Sequence, residues 1–116
     1  MAITKVTSSV LSDSTITQEK LYPGFKGTSV ISGTEINWDS SAVFTKTLGA
    51  ATTFTYVNDE IGMVKDLVIS GAYQITWPIG TKIIAGEYDT AATANFIQIV
   101  KTGAAEYFLS ISKEAV

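Results

Sequence analysis

Two tight acidic pairs, Asp59-Glu60 and Glu87-Tyr88-Asp89, are where the chain could most readily do chemistry. Paired carboxylates can divide general-acid from general-base work, or supply oxygen ligands to Ca²⁺. A calcium loop alternates several oxygen ligands around a glycine, and neither turn does so. Both pairs are therefore expected to be solvated turns. The sequence holds no His and no Cys, which removes zinc and copper sites, thiol nucleophiles and Ser-His-Asp triads. We expect no enzyme, no metal and no cofactor.

Aromatic side chains are the other candidates, because their faces pack against the C–H groups of sugars. Trp38, Tyr73, Trp77 and Tyr88 could form such a platform. Trp77 shares a strand face with Tyr73 and Ile75 and precedes Pro78, the pattern of a buried anchor. Trp38, in Asn37-Trp38-Asp39, could plug the base of a module or meet a neighbouring subunit. Trp38, Tyr22, Tyr88 and Tyr107 are the candidates for receptor or glycan contact.

The elements that must hold these residues read as all-β. Sixteen Thr and eleven Ser dominate the polar residues, and Thr alternating with apolar residues suits a pleated, half-buried surface. Tyr73 to Trp77, Thr52 to Val57 and Tyr107 to Ser112 alternate with period two. Asn95 to Lys101 is apolar on both faces and predicts a central strand covered on both sides. Turn signals recur at Leu48-Gly49-Ala50, Asn58-Asp59-Glu60, Ser70-Gly71-Ala72, Pro78-Ile79-Gly80, Ala85-Gly86-Glu87 and Lys101-Thr102-Gly103-Ala104. Those at Gly71 and Gly103 look like tight hairpins. The expectation is a compact antiparallel β-sandwich or barrel-like module of about seven strands over 36–116.

Residues 1–35 differ. Val6, Val10, Leu11, Ile16 and Leu21 sit among Ser, Thr and Asp with no sustained period, so this stretch reads as an extended arm for attachment or trimerisation. Thr15-Ile16-Thr17-Gln18 matches a capping box, and Lys26 to Ser32 reads as a weak strand.

The run from Ser9-Val10-Leu11 through Asp13, Ile16-Thr17 and Lys20-Leu21 resembles the "S-x-L-x-D-x-x-I-T-x-x-K-L" segments of shafts and attachment regions in bacteriophage fibre proteins. Ile36-Asn37-Trp38, Val43-Phe44-Thr45-Lys46-Thr47-Leu48, Thr52-Thr53-Phe54-Thr55-Tyr56, Leu67-Val68-Ile69-Ser70-Gly71, Ile75-Thr76-Trp77-Pro78 and Ile97-Gln98-Ile99-Val100-Lys101 are similar to the small β modules of the same proteins. The resemblance implies a virion structural protein, a homotrimer in contact with other capsid or tail proteins and with a host surface glycan or protein. One short arm leading into one module favours a head fibre or capsid decoration over a full tail fibre.

Charge and hydropathy agree with that expectation. A net charge of −3 with scattered lysines lacks the footprint of a nucleic-acid partner. No apolar run reaches the roughly 18 residues of a membrane helix, and residues 1–16 lack the apolar region of a secretory signal. The expected location is the virion surface, reached by assembly in the host cytoplasm and lysis.

Overall fold

The computed structural model describes residues 22–114. Among the described residues a 3-10 turn at Pro23–Phe25 leads into ten strands: β1 (Thr28–Val30), β2 (Glu35–Asn37), β3 (Val43–Thr47), β4 (Thr52–Thr53), β5 (Thr55–Val57), β6 (Val64–Ser70), β7 (Ile75–Thr76), β8 (Thr81–Ala85), β9 (Asn95–Gly103) and β10 (Glu106–Lys113). The expected all-β class holds. The expected antiparallel sandwich or barrel does not, because five of the seven strand pairings are parallel.

The chain instead winds into stacked coils, a β-solenoid-like arrangement. β1, β3 and β6 stack in parallel on one side, β2 and β5 on a second, β4 and β7 on a third. Thr28 lies beside Val43 and Val43 beside Asp66, so successive circuits return to the same sheet. The free edge of β6 is then covered by the β9–β10 hairpin, antiparallel to it, and β8 runs parallel to β10. The six-stranded sheet therefore has the order β1-β3-β6-β9-β10-β8. β1, which realises the weak strand expected within Lys26 to Ser32, is its first edge.

Period-two alternation shows which side chains point inward but is blind to the direction of the neighbouring strand. In β6, Lys65, Leu67 and Ile69 are buried while Val64, Asp66, Val68 and Ser70 face out. In β10, Tyr107, Leu109 and Ile111 share one face, as the alternation predicts, and that face is buried, Tyr107 included. The local geometry departs from expectation at Gly71. That glycine does not close a hairpin but turns a coil corner with φ 115°, where an added Cβ would fall 2.6 Å from the Leu48 carbonyl oxygen. Only Gly103 serves a tight hairpin, between β9 and β10. β9 is central, yet Phe96 and Gln98 lie exposed, so it is covered on one face only.

Inside the coils Ile36, Phe44, Leu67, Ile97 and Leu109 form one core. An aromatic group closes it: Trp38 meets Tyr56 edge-on at 5.5 Å between centroids, and Tyr56 meets Tyr107 at 4.6 Å. Phe54 is buried between β4 and β5 and stacks on Trp77 at 5.4 Å.

One charged residue points into this interior. Lys65 is 1% exposed, and its Nζ donates to the carbonyl oxygens of Gly24 and, at 2.8 Å, Ser41. Gly24 precedes the first circuit, Ser41 precedes the second and Lys65 opens the third, so a single ammonium joins three levels of the stack. Burial pulls the amine below the ordinary lysine value, and Asp39 partly restores it. Lys65→Met keeps the volume but leaves both carbonyls without their donor, and is expected to cost about 2–4 kcal/mol in urea unfolding. Lys65→Ala adds a cavity and is expected to cost more. A change below about 0.5 kcal/mol in both would show that the clasp contributes nothing.

Candidate functional site

The acidic pair around Tyr88 lies on the segment that crosses from β8 to β9. Gly86 starts that crossing with φ 73°, so close to β10 that an added Cβ would fall 2.1 Å from the Ile111 carbonyl oxygen. Tyr88 then packs on the core, and its hydroxyl donates to the Gly71 carbonyl at 2.7 Å. Asn95, fully buried at the start of β9, fixes the next residue: the Asp89 N–H donates to Asn95 Oδ1, and Asn95 Nδ2 donates to the Asp89 carbonyl, both at 2.9 Å. The Asp89 carboxylate is thereby aimed at Lys113, whose Nζ donates to Oδ2 at 2.9 Å, while Oδ1 accepts the Ala91 N–H at 2.8 Å.

Gly86, Tyr88, Asp89 and Lys113, with Gln74, Glu87, Thr90 and Ile111, line an open groove of about 580 Å³. Its floor is Tyr88 and Ile111 and its rim is polar. The Lys113 hydrogen bond, then the Ala91 N–H, hold the Asp89 carboxyl below its ordinary value, and Asp89 holds Lys113 above its own. Both groups are charged at neutral pH, so the pair is a fixed donor and acceptor rather than a proton-transfer couple. Gln74, Glu87 and Thr90 make no side-chain hydrogen bond among the described residues.

The other acidic pair is not the solvated turn expected. Asp59 Oδ2 takes Lys101 Nζ at 2.8 Å and the Tyr107 hydroxyl, in an ion pair shielded from water on both sides. Lys101 Nζ also donates to the Asp59 carbonyl at 3.1 Å, and the Gly62 N–H to the Lys101 carbonyl at 2.8 Å. This cluster fastens the 58–63 corner to β9. Its partner lies 42 residues away in sequence, which is why Asn58-Asp59-Glu60 alone read as solvated.

Of the four residues expected to meet a receptor or glycan, only Tyr88 lines the groove. Trp38 is 0% exposed and Tyr107 is buried, so both are core residues and not contact surface. Tyr22 is exposed, edge-on to Phe25 at 6.0 Å. Tyr73 is exposed and Trp77 is partly buried. Val6, Val10, Leu11, Ile16, Leu21 and the capping box at Thr15 lie outside the described residues. Ser110 and Lys113 have the S-x-x-K spacing of some serine nucleophiles, but three residues apart on a strand they face opposite sides. Among the described residues no group of three or more His, Cys, Asp or Glu side chains comes together to hold a metal. No helix among them is long and apolar enough to cross a membrane.

Sequence reasoning missed Lys113 and Gln74, whose distance from the Glu87-Tyr88-Asp89 turn hides their contribution, and Asn95, which carries no local signal. Lys65 did carry one, since it has the same parity as Leu67 and Ile69. Comparison with known proteins gives no match: no family model, no curated protein and no solved structure matches the chain.

Burial pushes the Asp59 carboxyl upward, but the hydrogen bonds from Lys101 and Tyr107 outweigh it, and the net shift is below 3.8. A carboxylate depressed in the folded state stabilises the fold above its unfolded value, and that contribution disappears as pH falls through the folded value. Wild type should therefore lose stability on acidification below pH 3.8, and Asp59→Asn should be less stable than wild type at pH 7 with a shallower acid slope. Thermal midpoints between pH 2 and 7 test this, as an order-of-magnitude window. Equal slopes in the two proteins would remove Asp59 from the acid response.

Proposed function

We propose that the chain is a structural protein of a bacteriophage particle, a short head fibre, capsid decoration or tail-fibre-type appendage displayed on the virion surface as a homotrimer. The observation that carries this reading is the asymmetry of the coil stack. On one side the β9–β10 hairpin covers the edge of β6. On the other, β1 is an edge strand, and the chain enters that first circuit from the segment that resembles phage fibre shafts. Repeat folds commonly close one end with an atypical element and continue or attach through the other. Attachment through residues 1–21 and display of the 22–114 module fit that division.

The groove beside Tyr88 supports a second, compatible reading, contact with a host-surface glycan. Gln74, Glu87 and Thr90 offer unengaged polar groups above an apolar floor, the composition of a site for a neutral polyhydroxylated ligand. A glycan array with wild type and Gln74→Ala tests it. Signal lost in the variant promotes the groove, and no signal with either protein removes this second reading.

For the main reading, the full chain is expected to sediment near the mass of three chains, and antibodies raised against it to label intact particles. Deleting residues 1–21 should leave the far-ultraviolet β signature in place while particle attachment falls at least tenfold, read by immunoblotting of purified virions. A chain that stays with no particle, or a truncated chain that attaches as well as the full one, sinks the corresponding part of the proposal.

A further inference from the structure

We infer that the outer face of the six-stranded sheet is the surface through which copies of this chain associate. The inference deepens the oligomeric part of the function proposed above and rests on it. Strand register places outward residues in rows across the sheet. Val30 and Val68 flank Thr45 of β3, which pairs with both, and Val68 pairs directly with Phe96. Val64 pairs with Val100, which pairs with Phe108. The face thus carries two rows with three apolar residues each, Val30, Val68 and Phe96 in one and Val64, Val100 and Phe108 in the other, and Val30 is 75% exposed while Val64 and Phe96 are each 47% exposed.

Charge narrows the partner. The carboxylate between the two rows, Asp66, accepts from Gln98 Nε2 at 3.1 Å. At the far end Lys82 is paired with Glu106 at 3.1 Å and lies over the Phe108 ring. The inward-pointing Lys46, Lys65 and Lys101 contribute nothing to this side. No lysine without a carboxylate partner stands on this face to attract a polyanion or an anionic lipid surface, and the carboxylate between the rows, Asp66, is held by Gln98. A pleated apolar surface is best matched by another pleated sheet about 10 Å away, and a further copy supplies one.

Area sets the strength. Four interstrand steps of about 4.8 Å and three rows about 7 Å apart give a face of roughly 400–500 Å². Two such faces bury roughly 800–1,000 Å² in total, at or below the lower limit of a specific interface, so the contact alone makes association weak and concentration-dependent.

The test uses the full chain in sedimentation velocity over a concentration series, with wild type, Phe96→Glu, Val30→Glu and, on an exposed position of β4, Thr53→Glu. Retained circular-dichroism spectra show that each variant folds. The expected result is an oligomer for wild type and Thr53→Glu, and at least tenfold weaker association for Phe96→Glu and Val30→Glu. An oligomer unaffected by either face variant overturns this inference and leaves the oligomeric reading standing. A wild-type monomer at every concentration overturns both. Because the chain has no cysteine, Phe96→Cys adds a clean probe: a short bis-maleimide should link copies through it, and a Thr53→Cys control should stay unlinked. A Phe96→Cys thiol that reacts only after residues 1–21 are removed would show the face covered by the chain's own N-terminal residues, and overturns the inference.

Discussion

Stacked coils depend on what happens at their corners. Along β3 and β6 the backbone joins a neighbouring strand on either side, but where the chain turns between sheets, carbonyls point into a closing interior with no ladder to join. A buried carbonyl without a donor costs about 1–3 kcal/mol, so the corners must be supplied with donors from elsewhere. Lys65 supplies two of them, Gly24 and Ser41, from the third level of the stack. Taking an ammonium out of water costs several kcal/mol, and the compensation comes from two charge-assisted bonds plus the attraction of Asp39.

The same device recurs. Lys46 donates to the Ile31 carbonyl at 3.2 Å, Lys101 to that of Asp59, Tyr88 to that of Gly71, and Asn95 to that of Asp89. Each is a side chain on or near a strand reaching a carbonyl at a corner. The rungs are short, and β4 and β7 are two residues each, so sheet hydrogen bonds alone fix the path weakly. Side-chain clasps spanning many residues of sequence fix it where the ladders cannot. Trp38 is the exception within the core, since its Nε1 is a buried side-chain nitrogen with no partner among the described residues.

What the sequence made legible follows from the same distinction. Alternation in Tyr107, Leu109 and Ile111 reports burial directly, and the hairpin at Gly103 is a local event, so both could be read without a partner strand. Parallel pairing could not, because the residues that pair, such as Val43 with Asp66, are separated by a whole circuit and alternate identically in either orientation. Gly71 shows the limit of turn chemistry: positive φ was foreseeable, but the choice between hairpin and corner is set by the Leu48 backbone beside it. The groove was half visible. Glu87, Tyr88 and Asp89 are neighbours in sequence, whereas Gln74 and Lys113 arrive only through the placement of β7 and β10.

The clasps also determine how the molecule meets its surroundings. With Lys46, Lys65 and Lys101 directed inward, and Lys82 and Lys113 each held by a carboxylate, basic charge is largely engaged within the fold. Glu35, Glu60, Glu87 and Glu114 remain at the exposed surface. Exposed glutamates therefore outnumber exposed lysines among the described residues. Against that background the sheet face lined with Val30, Val68 and Phe96 carries a carboxylate at Asp66, hydrogen-bonded by Gln98, and an ion pair between Lys82 and Glu106. The lysines that hold the coils together thus also leave Lys82, itself paired with Glu106, as the basic side chain at the end of this face.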